Sequence, residues 1–465
     1  MPVPCAALRA VCPAVVSVAV SATDCTGDIA AGQVLRLRAD LGTPSAGATG
    51  GGKTVCFSYI AQSAARKGNR VLILVHRAEL LDQASRSLPL QHGIIAAGRG
   101  MDLSHAVQVA SVQTVAKRLH LLPPDHFQLI VVDEAHHTTA GTWAKVLQHF
   151  RSAKLLGVTA TPIRGDGRGL GEHYQSMVEG PNAQWLTDNG YLAAARVLAP
   201  PGFDSTGLRK RMGDFDQRQA EQHVRAIHGD CVSHYRQHLA GQTAIAFCCS
   251  VAHAEAVAAL FLQAGIPAAS IDGKMDATTR RQLLSDLGTG RIKVLTSCAL
   301  IGEGVDVPSV GGCILLRPTA SVALHLQMIG RCLRPSGSKV AVVLDHVGNT
   351  LRLGHHLEPR EWTLEGIVKR DRDKAPSVKV CPQCFAAMAS QARQCLECGH
   401  QFAPEVRELE QVDGELVELA ARERKRQQGG AQSLDDLRQL AQQRGYRRGW
   451  AERVYQARLA KRHGL

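Results

Sequence analysis

The chain has 465 residues, more than one ordinary hydrophobic core holds, so two or three domains are expected. Hydrophobic residues at 45% and charged residues at 20% exclude a mainly disordered chain, and with aromatics at only 4% the cores must be built on Val, Leu, Ile and Ala. Lys plus Arg at 54 against Asp plus Glu at 41 gives +13, which favours an anionic partner, nucleic acid ahead of a membrane surface, and no apolar window is long enough for a membrane-spanning helix.

The first 47 residues contain an apolar run, Ala10 to Ala22, that imitates a secretory signal but is preceded by a single basic residue, Arg9. Four of the 14 cysteines fall in one short cluster near the C-terminus and ten are scattered, which suggests a reducing compartment and one metal site. The expected location is therefore cytoplasmic and nucleoid-associated.

Gly47-Ala48-Thr49-Gly50-Gly51-Gly52-Lys53-Thr54 satisfies G-x-x-x-x-G-K-[ST]. Gly47, Gly50, Gly51 and Gly52 would let backbone N–H groups wrap a nucleotide's phosphates at a helix N-terminus. Lys53 would neutralise the β- and γ-phosphates of ATP, and the Thr54 hydroxyl would bind Mg²⁺.

Short apolar runs then alternate with helical stretches. Strands are expected at Val71–Val75, Ala106–Ala110, Leu129–Val132 and Leu155–Val158, and again at Thr243–Phe247, Ala268–Ile271, Lys293–Thr296, Gly312–Leu316 and Val340–Leu344. Runs such as "VLILV" and "LIVVDE" lack period-2 alternation, as in parallel strands buried on both faces. Two such groups, split by a polar stretch from Gly165 to Gln242, predict two α/β domains. Asp133 and Glu134 close the strand "LIVVDE", where Asp133 would hold Mg²⁺ and Glu134 would polarise an attacking water.

Asp133-Glu134-Ala135-His136 is a DEAH box, and the chain resembles a superfamily 2 helicase. "LVHRAELLDQ" (Leu74–Gln83) is similar to motif Ia, "ASVQT" (Ala110–Thr114) to motif Ib and "GVTATP" (Gly157–Pro162) to motif III. "AIAFCCSVAHAE" (Ala244–Glu255), "VLTSCALIGEGVDVP" (Val294–Pro308) and "QMIGRCLRP" (Gln327–Pro335) resemble motifs IV, V and VI. The resemblance implies that Gln327, Arg331 and Arg334 approach the nucleotide from the second domain, the arginines as fingers on the γ-phosphate, with Gly304 and Asp306 lining the same interface. It implies that Thr159 and Thr161 couple nucleotide state to strand position, and that Arg77, Thr114 and Thr296 contact the nucleic-acid backbone. "DGKM" (Asp272–Met275), "LRPTASVALHLQMIGR" (Leu316–Arg331), "VLDHVGN" (Val343–Asn349) and "REWTLEG" (Arg360–Gly366) look like the RadD-like bacterial and phage helicases, which implies DNA repair or recombination.

Cys381-x-x-Cys384 and Cys395-x-x-Cys398 read as a structural zinc ribbon, two knuckles closing one tetrahedral Zn²⁺ site. A redox pair is the rival reading, but such pairs occur singly. Glu405 to Gln428 is a charged helix candidate. "RGYRRGWAERVYQARLAKR" (Arg444–Arg462) sets seven basic residues and three aromatics against one acid, which suits contact with nucleic acid as well as a solvated basic helix.

The first 47 residues depart from the family. Leu8-Arg9 is followed by no Tyr-Gln to read adenine, and no apolar strand immediately precedes Gly47. Two explanations are open: divergence, or translation of Arg9 to about Ala48 out of frame. The expected organisation is α/β, two tandem RecA-like domains with parallel sheets, then a small zinc ribbon and a helical basic tail. Its boundaries are 1–47 atypical, 48–185 first domain, 186–228 connection, 229–360 second domain, 361–380 charged linker, 381–402 ribbon and 403–465 tail. The expected function is an ATP-dependent DNA helicase or translocase acting on single strands or junctions, with a repair protein as a further partner and no membrane contact. The rivals are an RNA helicase and a zinc-dependent DNA-binding adaptor with an impaired ATPase.

Overall fold

The computed structural model describes residues 17–21, 53–138, 141–164, 167–200, 203–211, 213–224, 228–298, 310–367, 377–402, 431, 433–446 and 449–462. The first sheet is built from β1 (Ser17–Ser21), β2 (Val71–Val75), β3 (Gly93–Ile95), β4 (Val107–Ser111), β5 (Leu129–Asp133), β6 (Lys154–Thr159) and β7 (Ser176–Val178), in the order β3-β4-β2-β5-β6-β1-β7. Helices α1 (Lys53–Arg66), α2 (Ala78–Ser87), α3 (Val112–Arg118) and α4 (Gly141–His149) cover it. The absence of alternation in "VLILV" has a direct cause. Val71, Ile73 and Val75 point into a layer with Phe57, Ile60, Leu80 and Leu81, while Leu72 and Leu74 point into the opposite layer with Phe127, Trp143 and Phe150. Every position of β2 is buried, so no polar residue is tolerated on either face.

Strands β2 to β6 run parallel, but β1 is antiparallel to both β6 and β7. Ser17 lies opposite Thr159 and Ser21 opposite Leu155. The chain therefore leaves β1 at the amino end of β6, away from the edge where a phosphate-binding loop belongs. A strand feeding that loop directly would run parallel to β6.

The second sheet holds β8 (Ala195–Leu198), β11 (Ala244–Phe247), β12 (Ala268–Ile271), β13 (Val294–Ser297), β14 (Gly312–Leu315) and β15 (Ala341–Asp345), in the order β12-β13-β11-β14-β15-β8 and parallel throughout. Between β8 and β11 lie a two-residue-per-strand hairpin, β9 (Lys210–Arg211) and β10 (Asp214–Phe215). The helices from here on are α5 (Ala183–Asp188), α6 (Gln217–Val224), α7 (His228–His238), α8 (Val251–Gln263), α9 (Ala277–Gly288), α10 (Val322–Gly330) and α11 (Asn349–Leu353). The stretch 186–228, expected as a connection, thus supplies the edge strand β8. Its sequence, "ARVL", is short and only Val197 and Leu198 are buried, so it carries little strand signal of its own.

The stretch 361–380, expected as a charged linker, is partly structured as well. Strands β16 (Trp362–Thr363) and β17 (Gly366–Ile367) form a hairpin on the loop that follows "GVTATP". The backbone N–H groups of Gly169 and Gly171 donate to the carbonyls of Glu365 and Leu364 at 3.1 and 2.8 Å. Leu364 packs against the first domain's core beside Leu170 and Tyr174. A Cβ on Gly169 would collide with the Leu364 carbonyl, so only glycine lets the two backbones approach.

The cysteine segment packs on the second α/β domain. Strands β18 (Val378–Val380) and β19 (Ala387–Ala389) pair antiparallel, and Cys381, Ala386 and Cys395 are buried in the second domain's own core. Ala199 donates its N–H to the Phe385 carbonyl at 2.8 Å, and Arg196 on β8 pairs with Glu397 at 2.6 Å. The ribbon thereby covers the open edge of the sheet, which needs a partner for its backbone groups.

Residues 403–465 form a separate unit, in which α12 (Leu434–Gln443) and α13 (Trp450–Arg462) make a helical pair. Ser433 and Asp436 form a reciprocal cap at the start of α12, and Arg438 pairs with Glu452 at 2.9 Å. The turn between the helices carries Tyr446 against Trp450, with ring centroids 4.5 Å apart. The helix expected over Glu405 to Gln428 lies outside the described residues. Among the described residues, no helix is long and apolar enough to cross a membrane.

The second domain buries histidines in neutral form. Burial holds the His325 imidazole down at about 4 against the pull of Asp345, and holds His355 at about 4 with help from Arg360. In the unfolded chain both titrate near 6.5. Below that pH the unfolded chain takes up protons that the folded domain refuses, so stability rises with pH over this window. The thermal midpoint should be flat above pH 7 and fall steadily from pH 6.5 toward 4. An unchanged midpoint at pH 5 would contradict this assignment.

Candidate nucleotide and nucleic-acid site

Helix α1 begins at Lys53, so the glycine-rich run immediately precedes a helix N-terminus. Gly47, Gly50, Gly51 and Gly52 lie outside the described residues, as do the side chains of Lys53 and Thr54. Strand β5 ends on Asp133, with only 7% of the residue exposed, and Glu134 follows, equally buried. Glu134 adopts the left-handed conformation at φ 54°, rare for a residue with a Cβ. Its N–H donates to the Asp133 carboxylate at 3.0 Å. The bend stops the strand and turns the next three residues, Ala135–His137, into a single 3₁₀ turn.

That turn places His136 between two groups. Its Nδ1 lies 3.1 Å from the Thr159 hydroxyl at the end of β6 and 3.5 Å from the Glu134 carboxylate. Thr159 in turn donates to the Thr161 carbonyl at 3.0 Å, and its oxygen accepts the Thr161 N–H at 3.2 Å. His136, Thr159 and Thr161 are therefore hydrogen-bonded in series across the carboxyl ends of adjacent strands, with the Glu134 carboxylate facing His136 and with Thr159 and Thr161 almost fully buried. Gly157 makes the fit possible: a Cβ there would sit 2.5 Å from the Tyr174 ring and 2.7 Å from the Ala135 methyl. Burial pushes the Tyr174 hydroxyl far up, against a lowering hydrogen bond with Thr138, so it stays protonated.

Arg77 precedes α2, with its Nε donating to the His76 ring at 3.2 Å. Gln113, one residue before Thr114, donates to the His76 carbonyl at 3.0 Å. The ends of the parallel neighbours β2 and β4 are thereby tied together, and the stretches resembling motifs Ia and Ib share one edge. Thr114 lies in α3 with 8% exposed. His76 and Gln113 escaped the sequence reading, because their roles rest on a contact 37 residues apart.

In the second domain, Thr296 requires a correction. It is fully buried on β13, and its hydroxyl donates to the Ala254 carbonyl at 2.7 Å. A hydroxyl turned into helix α8 is not presented to a phosphate, so here Thr296 anchors the helix on the strand. Gln327 lies on α10, Arg331 follows its last residue, and Arg334 lies beyond; all three are half-buried. The Leu333 carbonyl accepts the Ala193 N–H at 2.8 Å, which ties this stretch to the approach to β8. Gly304 and Asp306 lie outside the described residues.

The sulfurs of Cys381, Cys384, Cys395 and Cys398 all lie within 4.8 Å of one another, with Cys381–Cys398 at 3.6 Å and Cys384–Cys395 at 3.5 Å. Each knuckle closes the same way. Phe385 and Gly399, each just past the second cysteine, have φ near 60–80° and donate to the carbonyls of Cys381 and Cys395 at 3.0 and 2.9 Å. Four thiolates at about 2.3 Å from one tetrahedral ion stand ~3.8 Å apart, so this geometry fits such an ion.

Residues 45–164 match the type III restriction enzyme res subunit family, and residues 220–336 match the helicase conserved C-terminal domain. A 51.5 kDa protein of a Lactococcus phage is 35% identical over 80% of this chain and 82% of its own length. A candidate ATP-dependent helicase of Saccharomyces cerevisiae, IRC3, is 29% identical over 65% of this chain, which spans 48% of the yeast protein. The DNA 3′-5′ translocase XPB2 of Sulfurisphaera tokodaii is 24% identical over 58% of this chain and 71% of its own length. The two matched domains are those that carry the strand-end chain of Asp133, Glu134, His136 and Thr159 and the motif VI arginines. The chain belongs to the superfamily 2 helicases, in one family with the Lactococcus phage protein.

Proposed function

We propose that this protein is a DEAH-box DNA helicase or translocase of the RadD-like kind, driven by ATP hydrolysis and serving DNA repair or recombination. The observation that carries the reading is the chain Glu134–His136–Thr159–Thr161. It links the position of a water-activating carboxylate to the loop that leaves β6. Lys53 and Thr54 would hold the phosphates and Mg²⁺ together with Asp133, with Gly304, Asp306 and Gln327 closing the nucleotide side. Mg²⁺ supplies charge neutralisation on the β- and γ-oxygens when bound. Glu134 orients the attacking water and takes its proton, and His136 holds that carboxylate against Thr159. Arg331 and Arg334 stabilise the developing charge from the other domain. Arg77 and Thr114 present one edge of the first domain to a single strand or junction.

A competing reading is a DNA-binding adaptor with an impaired ATPase. The antiparallel course of β1 favours it, because among the described residues no strand parallel to β6 precedes α1. ATP turnover measured with single-stranded DNA, duplex DNA and RNA separates the readings. Strong stimulation by single-stranded DNA supports the motor, equal stimulation by RNA supports an RNA helicase, and DNA binding without turnover supports the adaptor. Re-reading the coding DNA in all frames tests the origin of residues 9–48. A Leu-Arg-x-Tyr-Gln start in another frame would support the frame shift, and no such start would remove it.

The four cysteines are assigned one structural Zn²⁺ per chain. Because two of the ligands lie inside the second domain's core, Cys381→Ser should lose the metal and also lower the melting temperature of that domain. Full zinc content in the variant would remove the assignment.

A further inference from the structure

We propose that the basic hairpin at Arg209–Phe215 is a phosphate-binding element whose occupancy is transmitted to the start of the motif VI helix. The proposal rests on the reading of the chain as a nucleic-acid motor. Three consecutive basic residues, Arg209, Lys210 and Arg211, are exposed on and beside β9. The ordinary explanation of such a run is a solvated surface, in which basic residues are balanced by nearby acids. Here the three flanking aspartates are committed to other work. Asp204 accepts from the N–H of Thr206 at 2.8 Å and from its hydroxyl. Asp216 accepts the N–H groups of Arg218 and Gln219 at 3.0 and 3.2 Å, at the start of α6.

Asp214 is the informative one. One of its oxygens accepts the Thr319 hydroxyl at 2.8 Å and the Ala320 N–H at 2.7 Å, and the other faces the Arg317 guanidinium at 3.5 Å. These partners lie in the loop between β14 and α10, more than 100 residues away in sequence. The relay continues without a gap. The Thr319 hydroxyl oxygen accepts the Ser321 N–H at 3.0 Å, and the Ser321 side chain caps α10 by accepting the Leu324 N–H at 3.3 Å. Helix α10 is nine residues long, about 13 Å, and ends next to Arg331.

The hairpin is thus fixed along β10 and charged along β9, with Arg211 opposite the anchoring Asp214 and Lys210 opposite Phe215. Phe215, buried at 8% exposure, holds β10 between the Lys210 ammonium and the Arg352 guanidinium at 5.9 and 5.6 Å. A surface that spends its acids on anchoring and leaves three cations outward fits a polyanion backbone. A phosphate drawn to Lys210 and Arg211 would bear on Asp214, and through Thr319 and Ser321 on the helix that delivers the arginines. Asp214 is a positioning residue in this account.

The test uses the full-length protein and a labelled single-stranded oligonucleotide, read by anisotropy over a range of salt. The pair Lys210→Glu with Arg211→Glu should weaken binding at least tenfold and flatten the logarithmic salt dependence by about 1.4, at ~0.7 per lost phosphate contact on a single strand. The neutral pair Lys210→Gln with Arg211→Gln should show the same flattening. Asp214→Ala should lower the maximal DNA-stimulated ATPase rate about tenfold with the half-saturating DNA concentration moved far less. Asp214→Asn, which keeps an oxygen able to accept from Thr319 and Ala320, should restore the rate. If the wild type binds DNA and both charge variants bind with the same affinity and slope, the hairpin proposal is overturned while the motor reading stands. If Asp214→Ala leaves the maximal rate unchanged, the transmission to α10 is overturned. No binding by the wild type overturns both the hairpin and the motor.

Discussion

Hydrolysis of ATP should be slow in the free protein and strongly stimulated by single strands, and Arg334→Ala should erase that stimulation. The reason is the division of the chemistry between domains. Asp133 and Glu134 end a strand of the first sheet, whereas Arg331 and Arg334 follow α10 of the second. In the proposed mechanism neither half holds both the water activator and the cations for the transition-state charge. Nucleic acid bound by both domains would draw them together. Loss of a finger-type arginine typically costs about 10³-fold or more in rate. Binding of DNA by the variant should be largely retained and should weaken steeply with salt, because it rests on phosphate contacts. Equal rates with and without nucleic acid in the wild type would contradict the motor reading in its central claim.

Lys53→Ala and Glu134→Gln should each abolish turnover, but for different reasons. In the proposed mechanism Lys53 belongs to the phosphate cradle, so its loss should weaken ATP binding as well as hydrolysis. Glu134→Gln removes only the base: the amide keeps the size of the side chain and the left-handed backbone, and it still reaches His136. That variant should bind ATP and fail to hydrolyse it, a separation that equilibrium binding and single-turnover assays resolve. Loss of ATP binding in Glu134→Gln would show that the carboxylate holds the nucleotide and does not activate water.

The backbone position of Glu134 sharpens this second expectation. A residue with a Cβ held at φ 54° carries a conformational cost of order 1–3 kcal/mol. A bend at this point lets Asp133 stay in the sheet register while His136 turns back to Thr159. Substitutions that shift the bend, such as Gly157→Ala, which would press on Ala135 and Tyr174, should therefore lower turnover without touching any catalytic group.

Much of the architecture was legible in the sequence because it rests on local patterns. Uninterrupted apolar runs mark strands covered on both faces, and all nine expected strands are present within a residue or so at each end. The strand-end position of Asp133 and the convergence of the doubled C-x-x-C are likewise readable, since each is a short spacing tied to one kind of chemistry. What the sequence could not specify depends on contacts between distant segments. The edge strand β8 is four residues long and is a strand only because β15 lies beside it. The segment after Arg360 looks charged and loose, yet Leu364 finds an apolar pocket on the first domain and Gly169 leaves room for its backbone. Thr296 matches a motif position by spacing, but the packing of α8 on β13 turns its hydroxyl inward. The basic run at Arg209–Arg211 reads as polar surface until Asp214 is seen holding Thr319 and Ala320. Periodicity and spacing determine which elements form and which chemistry they carry. Which distant backbone or side chain meets them is decided by tertiary packing, where burial and hydrogen-bond satisfaction select one partner from many.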